Sequence, residues 1–381
     1  MEKQYIFNRR TLLSGAVAVT TIGLLAACGG GSKKEDKVKA PGKGAKAEEL
    51  YNINSHPVSD LKQGGELRIP VTAIGPDFNI WSQGGNSYST ARVLSTMRTA
   101  RLYKVAADGA YTLDKDYCEK FEVGKKGNKV AVAIKMNPKA KFNDGTPIDI
   151  KALRATWKIH QEPGGKYNIV TAGPYPHIES IEPEGKDGVI QVVFKNPYYP
   201  IEDLFGYIAH PALEDPEVFN KGFVDKPRPE YSSGPFTVKE DGWNSSSKTF
   251  TVVANDKWWG EKPLLDRIIF RALEAGASRA AFKNGEIDAV VASTPTAYAE
   301  LKDTNGAQIR RGQRLFSGGL NLNPNHIKDA KVRKAIFIGT DRQALANVNF
   351  QGLPYEEDVP GSMGLMPFSP LYEDNFPKPE G

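Results

Sequence analysis

Apolar and polar residues alternate in short stretches along this chain, and the alternation places most of its elements. In Gly65–Val71 the side chains of Leu67, Ile69 and Val71 share one face, the period-two pattern of a half-buried strand. Val130, Val132 and Ile134 repeat it within Lys129–Asn137, and Val189–Lys195 reads as a further strand closed by Asn196 and Pro197. Ile148–His160 has helical spacing, with Asp149 placed to cap it. Between the first strand and a helix expected over Ser89–Tyr103 lies turn chemistry, Gly75-Pro76-Asp77 and then Trp81 to Tyr88. A second group opens at Ser233–Val238, whose strand pairs antiparallel with Thr249–Asn255 across the polar turn Asn244–Ser247. There follow a strand over Leu265–Leu273, a helix over Ser278–Asn284 and a short buried strand over Ile287–Val291. A strand-like Leu315–Asn323 and a helix over Ala330–Phe350 complete the pattern. Strands and helices mixed without regular alternation, and without an internal repeat, describe an α/β chain with an inserted domain.

The longest apolar run lies at the start. Lys3, Arg9 and Arg10 precede Leu12–Leu25, and small residues follow, the order of an export signal. Leu25-Ala26-Ala27-Cys28 resembles the lipobox of bacterial lipoproteins, in which the cysteine thiol takes a diacylglycerol and becomes the new N-terminus. A transmembrane anchor is the alternative, but Gly15, Thr20, Thr21 and Gly23 interrupt a run already shorter than the roughly 20 apolar residues a span needs. Asn8–Leu13 resembles a twin-arginine export motif imperfectly, so the export route stays open. From Gly29 to Leu50 large apolar side chains are scarce, which predicts a flexible spacer. Its lysines (Lys33, Lys34, Lys37, Lys39, Lys43 and Lys46) either touch anionic headgroups or are merely solvated.

Charge and composition narrow the function. Without its signal the chain loses Glu2, Lys3, Arg9 and Arg10, leaving 47 basic against 44 acidic residues, a net of +3. That balance, with no basic cluster beyond the spacer, argues against a nucleic-acid partner. The remaining length of about 350 residues calls for two or more lobes. With Cys28 committed, Cys118 stands alone and no intramolecular disulfide framework is expected. His56, His160, His177, His210 and His326 show no metal-ligand spacing, and neither a nucleophile elbow nor a phosphate-cradling glycine loop occurs. A secreted enzyme or an adhesin remains a rival class, yet no nucleophile with a partnered base can be named. No catalytic residue, cofactor or metal is therefore expected.

Four segments carry a resemblance. Lys141-Phe142-Asn143-Asp144-Gly145-Thr146-Pro147-Ile148 is one. Ser233-Gly234-Pro235-Phe236 with Asn255-Asp256-Lys257-Trp258-Trp259-Gly260 is the second, and Phe282–Ala289 with its Gly-Glu-Ile-Asp core the third. The fourth runs from Asn321-Leu322-Asn323 through Val332–Ile336 to Asp341-Arg342. In register over residues 64–353, behind a lipobox, they resemble the extracellular solute-binding proteins of ABC importers, in the dipeptide- and oligopeptide-binding family. On physical grounds most of these motifs read as structural. Asp144–Pro147 is a turn, Trp258 and Trp259 bury apolar area rather than touch ligand, and Asp341-Arg342 stabilises its helix locally.

The resemblance implies a bilobal α/β fold of the type II periplasmic-binding-protein kind with an inserted extra domain. The expected division is a signal at 1–28, a linker at 29–62, a first lobe from 63–75 and 228–296, an inserted domain at 76–227 and a distal lobe at 297–381. It further implies a monomer without chemistry of its own, which takes a peptide outside the membrane and presents it to ABC permease subunits. Acylated Cys28 would hold it to the extracytoplasmic face of the bilayer, and a non-peptide solute such as a sugar oligomer or a metal chelate is the alternative within the family. The ligand would lie between the lobes, held by backbone hydrogen bonds in wet, roomy pockets. Trp81, Gly85, Asn86, Ser87 and Tyr88 align with one cleft wall, Phe316, Ser317, Gly318 and Asn321 with the other, and His210 with its vicinity. Gly84, Gly85, Gly318 and Gly319 either admit the ligand main chain or are ordinary turn glycines. The match ends after Pro354, so the resemblance implies a distal lobe lacking its C-terminal part, where relatives carry an aspartate and basic residues for the peptide termini.

Overall fold

The structure, a computed structural model, describes residues 38–376 apart from 40–41, 46, 53–55, 98–99, 106–109, 163, 313–318, 357–358 and 363–364. The expected signal, Cys28, Phe316, Ser317 and Gly318 lie outside the described residues. In the stretch expected to be a bare spacer it shows strand β1 (Val38–Lys39) and helix α1 (Ala47–Leu50). Leu50 is buried, and the chain beside it is tied down where Asn52 N–H donates to the Arg311 carbonyl at 2.9 Å.

Strand β2 (Glu66–Val71) forms where the alternation places it, with Val71 buried. Helix α2 (Tyr88–Leu94) starts at the Ser87 cap, whose hydroxyl accepts the Thr90 N–H, and stops nine residues short of the expected end at Tyr103. The chain then leaves one core for another. Leu102 is fully buried with its N–H on the Phe205 carbonyl, and β3 (Tyr103–Val105) pairs with β4 (Tyr111–Leu113), so tertiary partners override the local helical pattern. Next come β5 (Cys118–Lys126), β6 (Lys129–Met136), α3 (Ile150–His160), β7 (Ile178–Glu184) and β8 (Val189–Phe194). These strands make an antiparallel sheet in the order β5-β6-β8-β7, with Ala131 opposite Val193 and Ile134 opposite both Phe121 and Ile190. Asp149 caps α3 by accepting the Lys151 N–H at 2.8 Å.

The short helix α4 (Pro216–Lys221) precedes β9 (Phe236–Asn244), β10 (Thr249–Ala254) and β11 (Arg267–Ala272). They form a second sheet in the order β2-β11-β10-β9, in which β2 runs parallel to β11 and the β9–β10 hairpin is antiparallel. Asn244 Oδ1 accepts the N–H groups of Ser246 and Ser247 and thereby closes the hairpin turn.

Each sheet has its own core. Val132, Ile134, Ile181, Val192 and Phe194 of the first sheet pack with Tyr117, Leu153 and Phe205. Val71, Phe250, Val252 and Phe270 of the second pack with Phe78, Val93, Met97 and Phe219. Helix α3 joins them: Leu153 lies in one core and Ile159 in the other, while Trp258, from the loop after β10, reaches back into the first.

Helix α5 (Ala275–Lys283) leads to Gly285, which adopts φ +71 where the chain turns back. The strand expected over Ile287–Val291 does not form. Ile287 is buried, but the Asp288 carboxylate takes the Arg68 N–H at 2.7 Å that a neighbouring carbonyl would take in a ladder, and pairs with the Arg68 guanidinium at 2.6 Å. The Asp288 N–H donates to the Arg68 carbonyl at 3.0 Å, no strand follows it, and Val291 is exposed. Helices α6 (Pro295–Leu301), α7 (Ala330–Gly339) and α8 (Arg342–Phe350) follow, and β12 (Tyr355–Glu356) lies parallel to β1. The single helix expected over Ala330–Phe350 is broken at Thr340 and Asp341, because the Asp341 side chain accepts the Ala344 N–H at 2.8 Å and starts a new helix. No residue of α7 or α8 is buried, and Val332, Leu345 and Val348 are exposed. Among the described residues no helix is long and apolar enough to cross a membrane.

Candidate functional site

Between β2 and α2, residues 76–87 form a loop knotted by its own polar side chains. Asp77 accepts the Asn79 N–H at 2.8 Å through Oδ1 and the Ser82 hydroxyl at 2.6 Å through Oδ2. Ser82 Oγ in turn accepts the Gly85 N–H at 3.0 Å. Asn79, fully buried, donates to the Phe219 carbonyl at 2.7 Å and accepts the Trp81 N–H at 3.1 Å. Asn86 donates to the Ile80 carbonyl at 2.9 Å. This wiring leaves the residues expected to form one cleft wall in different positions. A Cβ on Gly85 would stand 2.1 Å from the Asn79 carbonyl oxygen, so that glycine serves the close approach of its own chain rather than of a ligand. Asn86 and Ser87 spend their side chains on the loop and on the α2 cap. Tyr88 is 76% exposed, and the Trp81 indole is half-buried, with its ring edge-on to His160 at 6.4 Å.

His210 comes to the same place from the other side of the sequence. Its Nδ1 accepts the Ala212 N–H at 3.0 Å, which requires a lone pair there, so the neutral ring carries its proton on Nε2 and donates it to Asp144 Oδ2 at 3.0 Å. Burial pushes the His210 pKa below the ordinary imidazole value, against the pull of the Asp144 carboxylate. Burial works to raise the Asp144 pKa, but the groups donated by Thr146 and His210 outweigh it and hold the carboxyl below its usual range. The imidazole stacks on Tyr231 at 4.5 Å and meets Phe142 edge-on at 4.7 Å. Trp81 and His210 thus line one cavity with Ile80, Phe142, Tyr207 and Tyr231; its volume is about 20 Å³, room for a single water-sized group. Its side chains are aromatic, aliphatic or neutral polar.

Of the residues expected for the facing wall only Asn321 is among the described residues. Asn321 is exposed, and residues 319–323 form no strand. Among the described residues no group of three His, Cys, Asp or Glu side chains could hold a metal ion.

The first two motifs meet in one buried polar junction beside the cavity. Asn143 donates its N–H to the Ser232 carbonyl and its amide to the Pro229 carbonyl, at 2.8 and 2.9 Å. Asn255 donates to Asn143 Oδ1 at 2.9 Å and to the Gly234 carbonyl at 2.7 Å, and Lys257 reaches the Asn143 carbonyl. Trp259 donates to the Asp116 carbonyl, and both tryptophans pack on Tyr117, so they bury area as expected. Asn79, Tyr207 and Tyr231 are absent from the candidates named above. Of these only Asn79 carries a signal, as an amide between the apolar Phe78 and Ile80.

Residues 125–380 match the family model described as bacterial extracellular solute-binding proteins, family 5 Middle. The oligopeptide-binding protein OppA of Mycobacterium tuberculosis is 30% identical over 311 residues, covering 79% of this chain and 51% of that protein. The chain therefore spans about half the length of the curated relatives it matches. Among solved structures, the oligopeptide-binding protein AppA from Bacillus subtilis in complex with a nonapeptide superposes with a TM-score of 0.57 at 21% identity, over 80% of this chain and 58% of that one. A periplasmic EDTA-binding protein, EppA, gives 0.53 at 25% identity, over 60% of this chain and 43% of that one.

Proposed function

Because the chain belongs to the bacterial extracellular solute-binding proteins of family 5, we propose that it is the peptide-binding component of an ABC importer. The observation that carries the peptide reading is the 30% identity to the oligopeptide-binding OppA over 79% of the chain. In this reading the protein has no chemistry of its own and acts as a monomer that hands its solute to membrane permease subunits. Trp81 and the cavity it shares with His210 form part of one wall of the solute site, with Tyr88 exposed nearby in sequence. Their chemistry favours an uncharged portion of the ligand there, because His210 is neutral and its Nε2–H is committed to Asp144. Phe316, Ser317, Gly318 and Asn321 are proposed for the facing wall.

Mass spectrometry of solute that co-purifies with the native protein tests the reading: a mixture of peptides supports it. A single defined non-peptide would overturn it in favour of a second reading, which the likeness to the EDTA-binding EppA favours, that the solute is a metal chelate. Turnover of a labelled substrate would point to an enzyme instead. The membrane attachment proposed at Cys28 predicts that Cys28→Ser moves the protein into the soluble fraction. Wild-type protein that is already soluble with its signal intact refutes that attachment.

A further inference from the structure

A buried amide between two apolar residues needs a reason, and Asn79 has one that reaches the proposed wall. The residue is fully buried, and burying a carboxamide is costly unless both of its ends are bonded. Here the NH2 end donates to the carbonyl of Phe219 in α4 and the oxygen end accepts the N–H of Trp81. The Trp81 carbonyl accepts the Val170 N–H at 2.9 Å. Both main-chain polar groups of Trp81 are therefore held, one by Asn79 and the other by a distant loop, and the indole keeps only its side-chain torsions. Asn79 is itself immobilised, since its N–H is on Asp77 and its carbonyl accepts the Ser82 N–H at 3.1 Å.

We propose that Asn79 is the positioning residue of the solute site, transmitting the placement of α4 to Trp81 so that the indole faces the solute in one orientation. The proposal rests on the reading of Trp81 as a contact residue. It distinguishes Asn79 from the rest of the knot: the Ser82 hydroxyl steadies the same loop through Asp77, Gly85 and the Asn79 carbonyl but makes no hydrogen bond to Trp81, and it touches neither end of the Asn79 amide.

The test uses the full chain labelled with 5-fluorotryptophan, the residue-81 fluorine signal being identified among the five tryptophans by its loss in Trp81→Phe. In the free protein Asn79→Ala is expected to shift and broaden that signal while those of Trp157, Trp258 and Trp259 stay in place. Ser82→Ala should leave the residue-81 signal near its original position. If Asn79→Ala does not accumulate as folded protein, Asn79→Ser, too short to span both partners, carries the same expectation. An unchanged residue-81 signal in the Asn79 variant, or an equal displacement in Ser82→Ala, overturns the proposal. Trialanine then separates it from the contact reading. Asn79→Ala should weaken trialanine binding about tenfold but add nothing in a Trp81→Ala background, the pattern of two residues acting as one unit. Equal losses in both backgrounds overturn positioning through Trp81. A wild-type residue-81 signal that trialanine leaves unmoved, beside a displaced one in Asn79→Ala, overturns the contact reading and upholds the control of Trp81 by Asn79.

Discussion

Replacing Asn255 by alanine should cost this protein a large part of its stability, although Asn255 lies in no helix or strand. The side chain is 5% exposed and makes three hydrogen bonds. Two of its partners, Asn143 Oδ1 and the Gly234 carbonyl, are acceptors at the junction between the two cores. Truncation removes the donor from both at once, and a buried acceptor left without a partner costs about 1–3 kcal/mol. The third partner, the Lys257 N–H, belongs to an exposed residue and can turn to water at little cost. Together the two losses should amount to about 2–6 kcal/mol, against roughly 5–15 kcal/mol for a whole domain. The assay is urea unfolding of Asn255→Ala beside Asn305→Ala, an exposed asparagine whose removal should stay within about 0.5 kcal/mol. Asn143→Ala combined with Asn255→Ala should cost less than the two singly, because the pair then leaves together. A midpoint for Asn255→Ala no lower than that of Asn305→Ala would refute the reasoning that the two buried acceptors depend on the Asn255 amide.

Three further outcomes follow from the same geometry. Gly85→Ala should destabilise the protein by about 1–3 kcal/mol, since the new methyl meets the Asn79 carbonyl at 2.1 Å; a melting temperature equal to wild type would contradict it. Burial holds the His210 and His160 pKa values below the ordinary imidazole value, so the unfolded chain binds more protons than the native one in that range. Stability is thus complete above the unfolded histidine pKa and declines as the pH falls through it toward the lower native values. His210→Asn, which keeps an acceptor for the Ala212 N–H, should flatten the slope of melting temperature against pH between about 7 and 5, and an unaltered slope would show that His210 contributes nothing to it. Cys118 is buried, and burial lifts its thiol pKa to about 11, which leaves about 0.1% thiolate at pH 8. In Cys28→Ser protein the thiol should react with a disulfide reagent only after denaturant is added, and prompt labelling of the native protein would place it at the surface.

Local pattern alone determined the elements whose periodicity faces one core. The alternation of Leu67, Ile69 and Val71, the cap at Asp149 and the polar turn at Asn244 give β2, α3 and the β9–β10 hairpin, whereas the Ser87 cap of α2 emerges only in the folded chain. Strands β5 and β7 are not legible in that pattern, because as sheet edges β5 carries Glu and Lys and β7 carries Glu and Pro183, where a central strand carries Val and Ile. The early end of α2 and the break before α8 were decided by competing partners: Phe205 for the chain at Leu102, and the Asp341 side chain for its own helix start. Most of the four motifs could be read as structural from their residue types, yet only the folded chain brings Asn143 and Asn255, 112 positions apart, into one junction. The candidate site divides in the same way. Trp81 and His210 are of the residue types a solute wall needs, and the fold brings them to one cavity. Whether a glycine faces a ligand or its own chain is not written in its neighbours. That depends on what stands within a Cβ radius, and at Gly85 it is the carbonyl of Asn79.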